Sequence, residues 1–574
     1  MRYHALAADY DGTLAHHGLI DDLTWASLKQ LRESGRKLIM VTGRELDELL
    51  ALLPHPEMFD RIVAENGAVL YSPASKKVTL LAPPPPPEFG DELKKRGAER
   101  VAVGRVIVAT WEPHQDTVLH VIHDMGLELQ VIFNTGAVMI LPTGVNKATG
   151  LEAALHDLGL SKHNVVAVGD AENDHALLTR AELGVAVANA LPSLKQHADL
   201  VTPGDHGTGV SQVIDRLIAN DLADISPPRH RIKVGQANGQ HVTIDPYETN
   251  IMIAGTSGSG KSTLTTAILE RLCERGYQYV ILDPEGDYTS IESAVVLGAP
   301  HRAPLVDEVI DVLRDSSRNA VVNMLGIAVD HRPEFFAKLL PALAELRMRT
   351  GRPHWLVVDE AHHLLPSSWQ PVAELALRPH GTLYVTVHPG SVAQPVIDTI
   401  NTVFVVGDHP DKTVKEFWNV ARIKKPPHVA SEKLGPGHAL YWETKTNLAA
   451  VIETEPSTTE RTRHSRKYVE GNLGSHSFVF RGPDKKLNLK ASNLMLFLLL
   501  AEGVDDDTWL HHLRNGEYSQ WFRTNVKDPD LAQAAEAAEK DASISAQASR
   551  ELIRAEIEKR YTLPADEPSG VIDD

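Results

Sequence analysis

The chain has 574 residues, too many for one hydrophobic core, so about three or four domains are expected. Its 43% apolar content is ordinary for a globular protein, and its single cysteine, Cys273, excludes a disulfide framework within the chain and a cysteine-based zinc site. The formal net charge of −19 excludes a uniformly basic nucleic-acid-binding surface, but not a local basic strip or a basic ring built by several copies.

The opening MRYHALAADYDG lacks a charged-then-apolar leader pattern. The longest apolar run, LMLFLLLA at 494–501, is far short of the roughly 20 residues needed to cross a bilayer. A cytoplasmic protein with no membrane partner is expected. HALAADYD then reads as a buried strand with a polar end. DDLTWASLKQLRESG reads as an amphipathic helix closed by Gly35. KLIMVTGR, RIVAEN and NVVAVGD repeat the strand pattern, each followed by a helix or turn. Alternating strands and helices predict an α/β domain with a parallel sheet covered on both faces. In such sheets ligands bind beyond the carboxyl ends of the strands. Asp9, Asp11, Thr42, Asp170 and Asp174 collect there.

These residues suit phosphoryl transfer to a carboxylate. Asp9 would attack phosphorus. Asp11 would protonate the leaving oxygen and later activate water. Gly12 permits a sharp turn with its backbone close to phosphate. Thr42 and Lys147 would bind phosphoryl oxygens. Asp9, Asp170 and Asp174, with Asp11 beside them, offer the oxygen ligands that Mg²⁺ prefers. DYDGTL, VTGR, Lys147 and GDAEND occur in the order found in haloacid dehalogenase (HAD) phosphatases, which residues 1–220 resemble. The resemblance implies a Rossmannoid domain acting on a phosphate ester through an aspartyl-phosphate. It also implies an inserted Cof-like cap, here about 75–140. ATW and LQVIFNTGAVMILP supply cap strands around the helix PHQDTVLHVIHDMG. The cap is short and looks more like the sugar-phosphate or phosphoglycolate phosphatase type. APPPPPEFG at 82–90 reads as a stiff polyproline II spacer into it.

SPPRHR at 226–231 reads as a linker within 221–245, followed by the β-rich RIKVGQANGQHVTID. NIMIAG leads into GTSGSGKST and the helix TLTTAILERLCERG, the strand–loop–helix context that a P-loop requires. Gly255, Thr256, Ser257, Gly258, Ser259 and Gly260 form the loop, and Lys261, Ser262 and Thr263 open the helix. Backbone N–H groups would cradle the phosphates of ATP. Lys261 would reach the β- and γ-phosphates, and Ser262 would ligate Mg²⁺. LVVDEAHHLLP at 356–366 delivers Asp359 to the Mg²⁺ shell and Glu360 beside it, placed to orient an attacking water. YVILDPEGDY adds an acidic strand end. TLYVTVHP adds a polar tip with Thr386 and His388.

Residues 230–455 resemble the HerA/FtsK class of hexameric P-loop ATPases, which implies a RecA-like domain at about 246–455. The family usually has Gln where this chain has His388. The family also works as rings in which a neighbour's arginine completes each site. Arg378 is the candidate, with Arg347 and Arg349 as alternatives. The adjacent His362 and His363, and likewise His511 and His512, read as packing or capping residues, because neighbours on a helix point in different directions.

RTRHSRK at 461–467 reads as a solvated linker or a phosphate contact. KLNLKASNLMLFLLLAEGV and DDDTWLHHLRNGEYSQWFRTNVKD predict a small helical domain at 456–562. Trp509 and Trp521 leave an aromatic nucleic-acid platform open. Residues 563–574 read as a disordered acidic tail. Three functions remain in play. The first is a Mg²⁺-dependent phosphatase fused to a ring-forming ATPase that acts on DNA. The second is a polynucleotide kinase–phosphatase, against which DEAHH and DPEGDY argue. The third is a metabolite phosphatase governed by a nucleotide-driven oligomerisation module.

Overall fold

The structure, a computed structural model, describes residues 1–134, 136–368, 381–421, 423, 426–427, 429, 433–457, 477–483, 487–526 and 528–560. Arg378, the basic run at 461–467 and the acidic tail at 563–574 lie outside these residues. Among the described residues, no helix is long and apolar enough to cross a membrane. The chain divides into one unit of Met1–Pro456 and another of Ser457–Asp574.

The strand Ala5–Asp9 is buried along its whole length, which explains its unbroken apolar run. It pairs in parallel with Val165–Gly169 on one side and Lys37–Val41 on the other. The full sheet has eight strands. Leu183–Ala186 and Leu200–Val201 extend it beyond Val165–Gly169, and Arg61–Ala64 pairs with Lys37–Val41. Val69–Ser72 and Lys77–Leu80 close the other edge by antiparallel pairing. The helix Asp22–Glu33 begins where the Asp21 carboxylate accepts the Thr24 N–H at 2.8 Å.

Beyond residue 80 the chain builds a separate four-stranded antiparallel sheet from Ala102–Val103, Val108–Trp111, Leu129–Asn134 and Ala137–Pro142. The helices Pro87–Lys95 and Gln115–Asp124 bury Phe89, Leu93, Val118 and Val121 with Val138 and Ile140 of that sheet. This is the cap. Buried Glu65, at the tip of Arg61–Ala64, ties it down. Its carboxylate accepts the N–H groups of Arg105, Val106 and Ile107 at 2.9, 2.7 and 2.9 Å. Glu65→Ala strips three amides of their acceptor, at an expected cost of about 3 kcal/mol. Hydrogen exchange at residues 105–107 should quicken markedly, and unchanged protection there would show that the tie carries no load.

The second domain has an eleven-stranded sheet. Seven strands run parallel, in the order Thr402–Val406, Asn250–Gly255, Thr382–Thr386, Trp355–Val358, Tyr279–Asp283, Asn319–Asn323 and Ala294–Leu297. His438–Glu443, Leu448–Thr454, Ile232–Ala237 and Gln240–Ile244 continue it as antiparallel strands. One face packs on the helix Lys261–Glu274 through Leu264, Ile268 and Leu272. The other packs on Phe336, Leu339 and Phe417.

The two domains meet through the amino ends of their strands. On the first domain the contact residues are Arg2, Gly159, His163 and Glu182, which precede the strands that begin at Ala5, Val165 and Leu183. On the second they are Tyr247, Tyr277 and Arg352, which precede Asn250, Tyr279 and Trp355. The Arg2 guanidinium lies 3.9 Å from the Tyr247 ring centroid. Tyr247 Oη donates to His163 O at 2.5 Å, and Arg352 Nη2 donates to Gly159 O at 2.6 Å. The ring of His163 stacks on Tyr277 at 3.7 Å. The carboxyl ends of both sheets therefore face away from the junction. Each is removed from it by the length of its own strands, about 16 Å for five residues. The segment expected to be a linker is anchored as well. Arg229 donates to the carbonyls of Thr179 and Ala181 at 2.8 and 2.7 Å and to Asp199 Oδ2 at 2.7 Å.

The C-terminal unit pairs Phe478–Phe480 with Leu489–Ala491 and adds the helices Leu494–Gly503, Asp506–Arg514, Glu517–Trp521, Pro529–Lys540 and Ala546–Arg560. Its core is aromatic, with Phe478, Phe480, Phe497, Trp509, Tyr518, Trp521 and Phe522 in one cluster. Trp509 is 0% exposed and Trp521 5%. Neither offers a ring face to a base, so the aromatic platform is ruled out: the hydrophobic core claims both indoles. His512 is also a packing residue. It accepts the Arg481 N–H at 3.0 Å and pairs with Glu517.

Candidate active sites

The first candidate site lies at the carboxyl end of the eight-stranded sheet. Asp9 ends its strand, Asp170 follows Val165–Gly169, and Asp174 sits in the turn after it. Lys147 opens the helix Lys147–Asp157, which Asn146 caps through the Ala148 and Thr149 N–H groups. Lys147 Nζ donates to Asp9 Oδ1 at 2.6 Å and to Asp174 Oδ1 at 2.7 Å. Thr13 donates to Asp170 at 2.8 Å. One oxygen each from Asp9, Asp170 and Asp174 lies within 4.8 Å of the others. Gly12 has φ +79°, and a Cβ there would lie 2.2 Å from Asp170 Oδ2, so only glycine fits this turn. Thr42 is buried beside the site, and its hydroxyl accepts the Arg44 N–H at 3.1 Å. The cap lies over this end of the sheet: a Cβ on Gly43 would come within 2.9 Å of the Met139 methyl.

Two buried carboxylates, Asp9 and Asp174, and the half-buried Asp170 face a single ammonium, so negative charge is in excess whenever all three are ionised. Burial pushes Asp9 up, against the pull of Lys147, and Asp174 and Asp170 add to the rise. Burial pushes Asp170 up to about 6, with the Thr13 hydrogen bond working against it. Burial opposes the charge of Lys147, but Asp174 and Asp9 outweigh it and hold Lys147 above the ordinary lysine range. A divalent cation would remove the excess charge, and three hard oxygen donors suit one of the Mg²⁺ type. Asp11 does not join this group. Its carboxylate turns to Arg44 and accepts from Nε and Nη2, each at 2.7 Å. That two-pronged pair holds it outside the trio. Nothing in the spacing of VTGR and DYDGTL along the chain signals that Arg44 reaches Asp11.

The second candidate site lies at the carboxyl end of the eleven-stranded sheet. Gly260 has φ +98° and caps the helix that Lys261 and Ser262 open, as the loop requires. Lys261 is buried and its Nζ donates to Thr256 O at 3.1 Å. Burial lowers Lys261, while Glu360 and Asp359 act to raise it. Asp359 is buried at the end of Trp355–Val358. Glu360 takes a left-handed backbone with φ 44°, uncommon for a residue with a Cβ and costly enough to mark a constrained position. Burial pushes Glu360 up, helped by Glu285.

Two neighbours of Glu360 were not anticipated. His362 Nδ1 lies 3.4 Å from Glu360 Oε2 and 3.2 Å from Thr386 Oγ1. The ring of His388 meets His362 edge-on at 5.7 Å. His362 therefore packs against Glu360 and Thr386 at the second candidate site. In the loop after Tyr279–Asp283, the Asp283 carboxylate accepts the Asp287 and Tyr288 N–H groups at 3.0 and 2.8 Å. This holds the loop, and Glu285 and Asp287 act on Lys261 electrostatically. Arg347 is not available to a neighbour. It turns inward and donates to Pro353 O at 2.7 Å and His354 O at 3.1 Å, closing the end of its own helix. Arg349 is exposed and pairs with Glu345 at 2.5 Å.

Comparison with known proteins agrees with this division. Residues 6–88 and 114–214 match the family described as haloacid dehalogenase-like hydrolase. Residues 232–348 match the family described as helicase HerA, central domain. A phosphoglycolate phosphatase of Methanothermobacter thermautotrophicus is 32% identical over 225 residues, covering 37% of this chain and 98% of the relative. Phosphoglycolate phosphatase 2 of Saccharolobus solfataricus is 29% identical over 229 residues, covering 38% of this chain and 93% of the relative. A solved haloacid dehalogenase-like hydrolase from Bacteroides thetaiotaomicron covers 38% of this chain and 99% of its own, at 19% identity and a TM-score of 0.33. The chain belongs to the haloacid dehalogenase-like hydrolases through its first domain, and its second is a HerA-type ATPase domain.

Proposed function

We propose that the first domain hydrolyses a small, carboxylate-bearing phosphate ester of the phosphoglycolate kind in a Mg²⁺-dependent reaction. The observation that carries this reading is the convergence of Asp9, Asp170 and Asp174 around Lys147 beneath a small cap. The names of the similar phosphatases suggest the substrate class. Asp9, Asp170 and Asp174 would hold Mg²⁺, which would supply positive charge to the phosphoryl oxygens. Asp9 attacks phosphorus, the bond to the leaving oxygen breaks, and Asp11, released from Arg44 and carrying a proton taken up from solvent, gives that proton to the leaving oxygen. Water then attacks the aspartyl-phosphate and gives its proton to Asp11. Inorganic phosphate leaves and Asp9 is restored. Lys147 and Thr42 orient the phosphoryl group.

In the second domain, residues 255–260 would cradle the phosphates of ATP, with Lys261 on the β- and γ-phosphates. Ser262 and Asp359 would share a second Mg²⁺. Glu360 would orient the attacking water, and His388, beside His362 and Thr386, would sense the γ-phosphate. The HerA-type match over residues 232–348 supports assembly into an oligomer; a ring of six that acts on DNA, with Arg378 completing a neighbour's site, is the form we propose. ATP hydrolysis and mass in solution, with and without double-stranded DNA, test this directly. Several-fold stimulation in a particle of about six subunits is expected. Hydrolysis that DNA does not stimulate would instead favour a metabolite phosphatase governed by nucleotide-driven oligomerisation. Dialysis against EDTA should silence both hydrolyses and Mg²⁺ should restore them; ester hydrolysis that survives chelation would contradict the metal assignment at Asp9.

A further inference from the structure

A third cluster of ligating side chains lies far from both catalytic ends, at the seam between the domains. His163 Nδ1 is 2.6 Å from Glu182 Oε2, and His230 Nε2 is 3.7 Å from the same oxygen. One ligand atom from each residue lies within 4.8 Å of the others. His163 and Glu182 are buried, and His230 Nε2 is a buried atom without a hydrogen-bond partner.

The surroundings orient these atoms. His163 Nε2 lies 2.8 Å from Arg275 O and donates its hydrogen there. In the neutral ring, Nδ1 then turns its lone pair toward Glu182. Glu182 Oε1 accepts from Arg2 Nη2 at 2.6 Å, and Tyr277 Oη lies 3.2 Å from Oε2. A ligating histidine whose far nitrogen donates to a backbone carbonyl, beside a carboxylate steadied by its own donors, is the outer-shell pattern of protein metal sites. A lone pair and a carboxylate oxygen do not rest at 2.6 Å with nothing between them. A proton would answer for His163 but would leave His230 Nε2 unsatisfied. A metal ion answers for both.

We infer that His163, Glu182 and His230 bind a structural zinc ion, with water in the fourth position. Two imidazoles and one carboxylate suit Zn²⁺. At ordinary zinc bond lengths, tetrahedral ligands stand about 3.3 Å apart. The His230–Glu182 spacing of 3.7 Å is close to that, and the His163–Glu182 pair would open by less than about 1 Å. The ion would bolt the seam: His163 and Glu182 come from the first domain, His230 from the connecting segment, and Arg275 and Tyr277 from the second.

The test uses the full chain, loaded with Zn²⁺ and dialysed against metal-free buffer. Wild type should retain about one zinc per chain, measured by elemental mass spectrometry, and melt at a higher temperature than after chelation. His230→Ala should fold, because its Nε2 makes no hydrogen bond. It should lose the retained zinc, while the Asp9 trio stays intact as an internal control. Co²⁺ in wild type should show the visible bands of a tetrahedral site, and these should vanish in His230→Ala. Equal zinc in wild type and His230→Ala, or no tetrahedral Co²⁺ spectrum in wild type, overturns the assignment.

Discussion

Asp9→Asn abolishes phosphate-ester hydrolysis by the purified chain, with an expected loss of about 10³-fold or more in kcat. Asparagine keeps the shape of the side chain, so the fold survives. It has no carboxylate to form the acyl-phosphate, and it leaves Lys147 Nζ with a neutral amide oxygen in place of one of its two charged acceptors. ATP hydrolysis should be unchanged, because the proposed nucleotide site lies at the carboxyl end of the other sheet. Phosphate release from phosphoglycolate and ATP turnover, measured on the same preparation, decide the matter. A parallel fall in ATP turnover would mean that the two sites are not independent. Retained ester hydrolysis would remove Asp9 as the nucleophile.

Glu360→Gln lowers ATP hydrolysis by about 10²–10³-fold while nucleotide still binds. Glutamine occupies the same space but cannot draw a proton from water. The left-handed backbone at residue 360 strains Gln no more than Glu, so the loss should be chemical and not structural. Lys261→Ala differs in kind and should weaken nucleotide binding itself. Binding of a fluorescent ATP analogue beside steady-state hydrolysis separates the two. If Glu360→Gln hydrolyses ATP within about threefold of wild type, far below the effect expected of a general base, water activation belongs to another carboxylate, with Glu285, whose charge raises Glu360, as the alternative.

Both candidate sites were visible in the sequence as motifs because each motif is local. DYDGTL, GTSGSGKST and LVVDE each place a polar tip directly after one buried strand, and the strand itself dictates where that tip points. The alternation of strands and helices likewise announced two α/β domains, and helical apolar spacing a helical C-terminal unit. What the sequence withheld depends on distant segments meeting. The order of the motifs already put Lys147 in the site, but its direct bonds to Asp9 and Asp174 come from the packing of its helix beside their strands. Arg44 reaches Asp11, and Glu65 reaches the cap, across gaps that no periodicity reports. Apolar spacing shows that Trp509 and Trp521 lie on one side of their helices, but not that other aromatic rings cover them. His163, Glu182 and His230 have no ligand spacing along the chain; the docking of two sheets by their amino ends gathers them. Local order follows from backbone preference and side-chain pattern. Which buried group meets which was decided by tertiary packing, where each charge taken out of water had to find its partner.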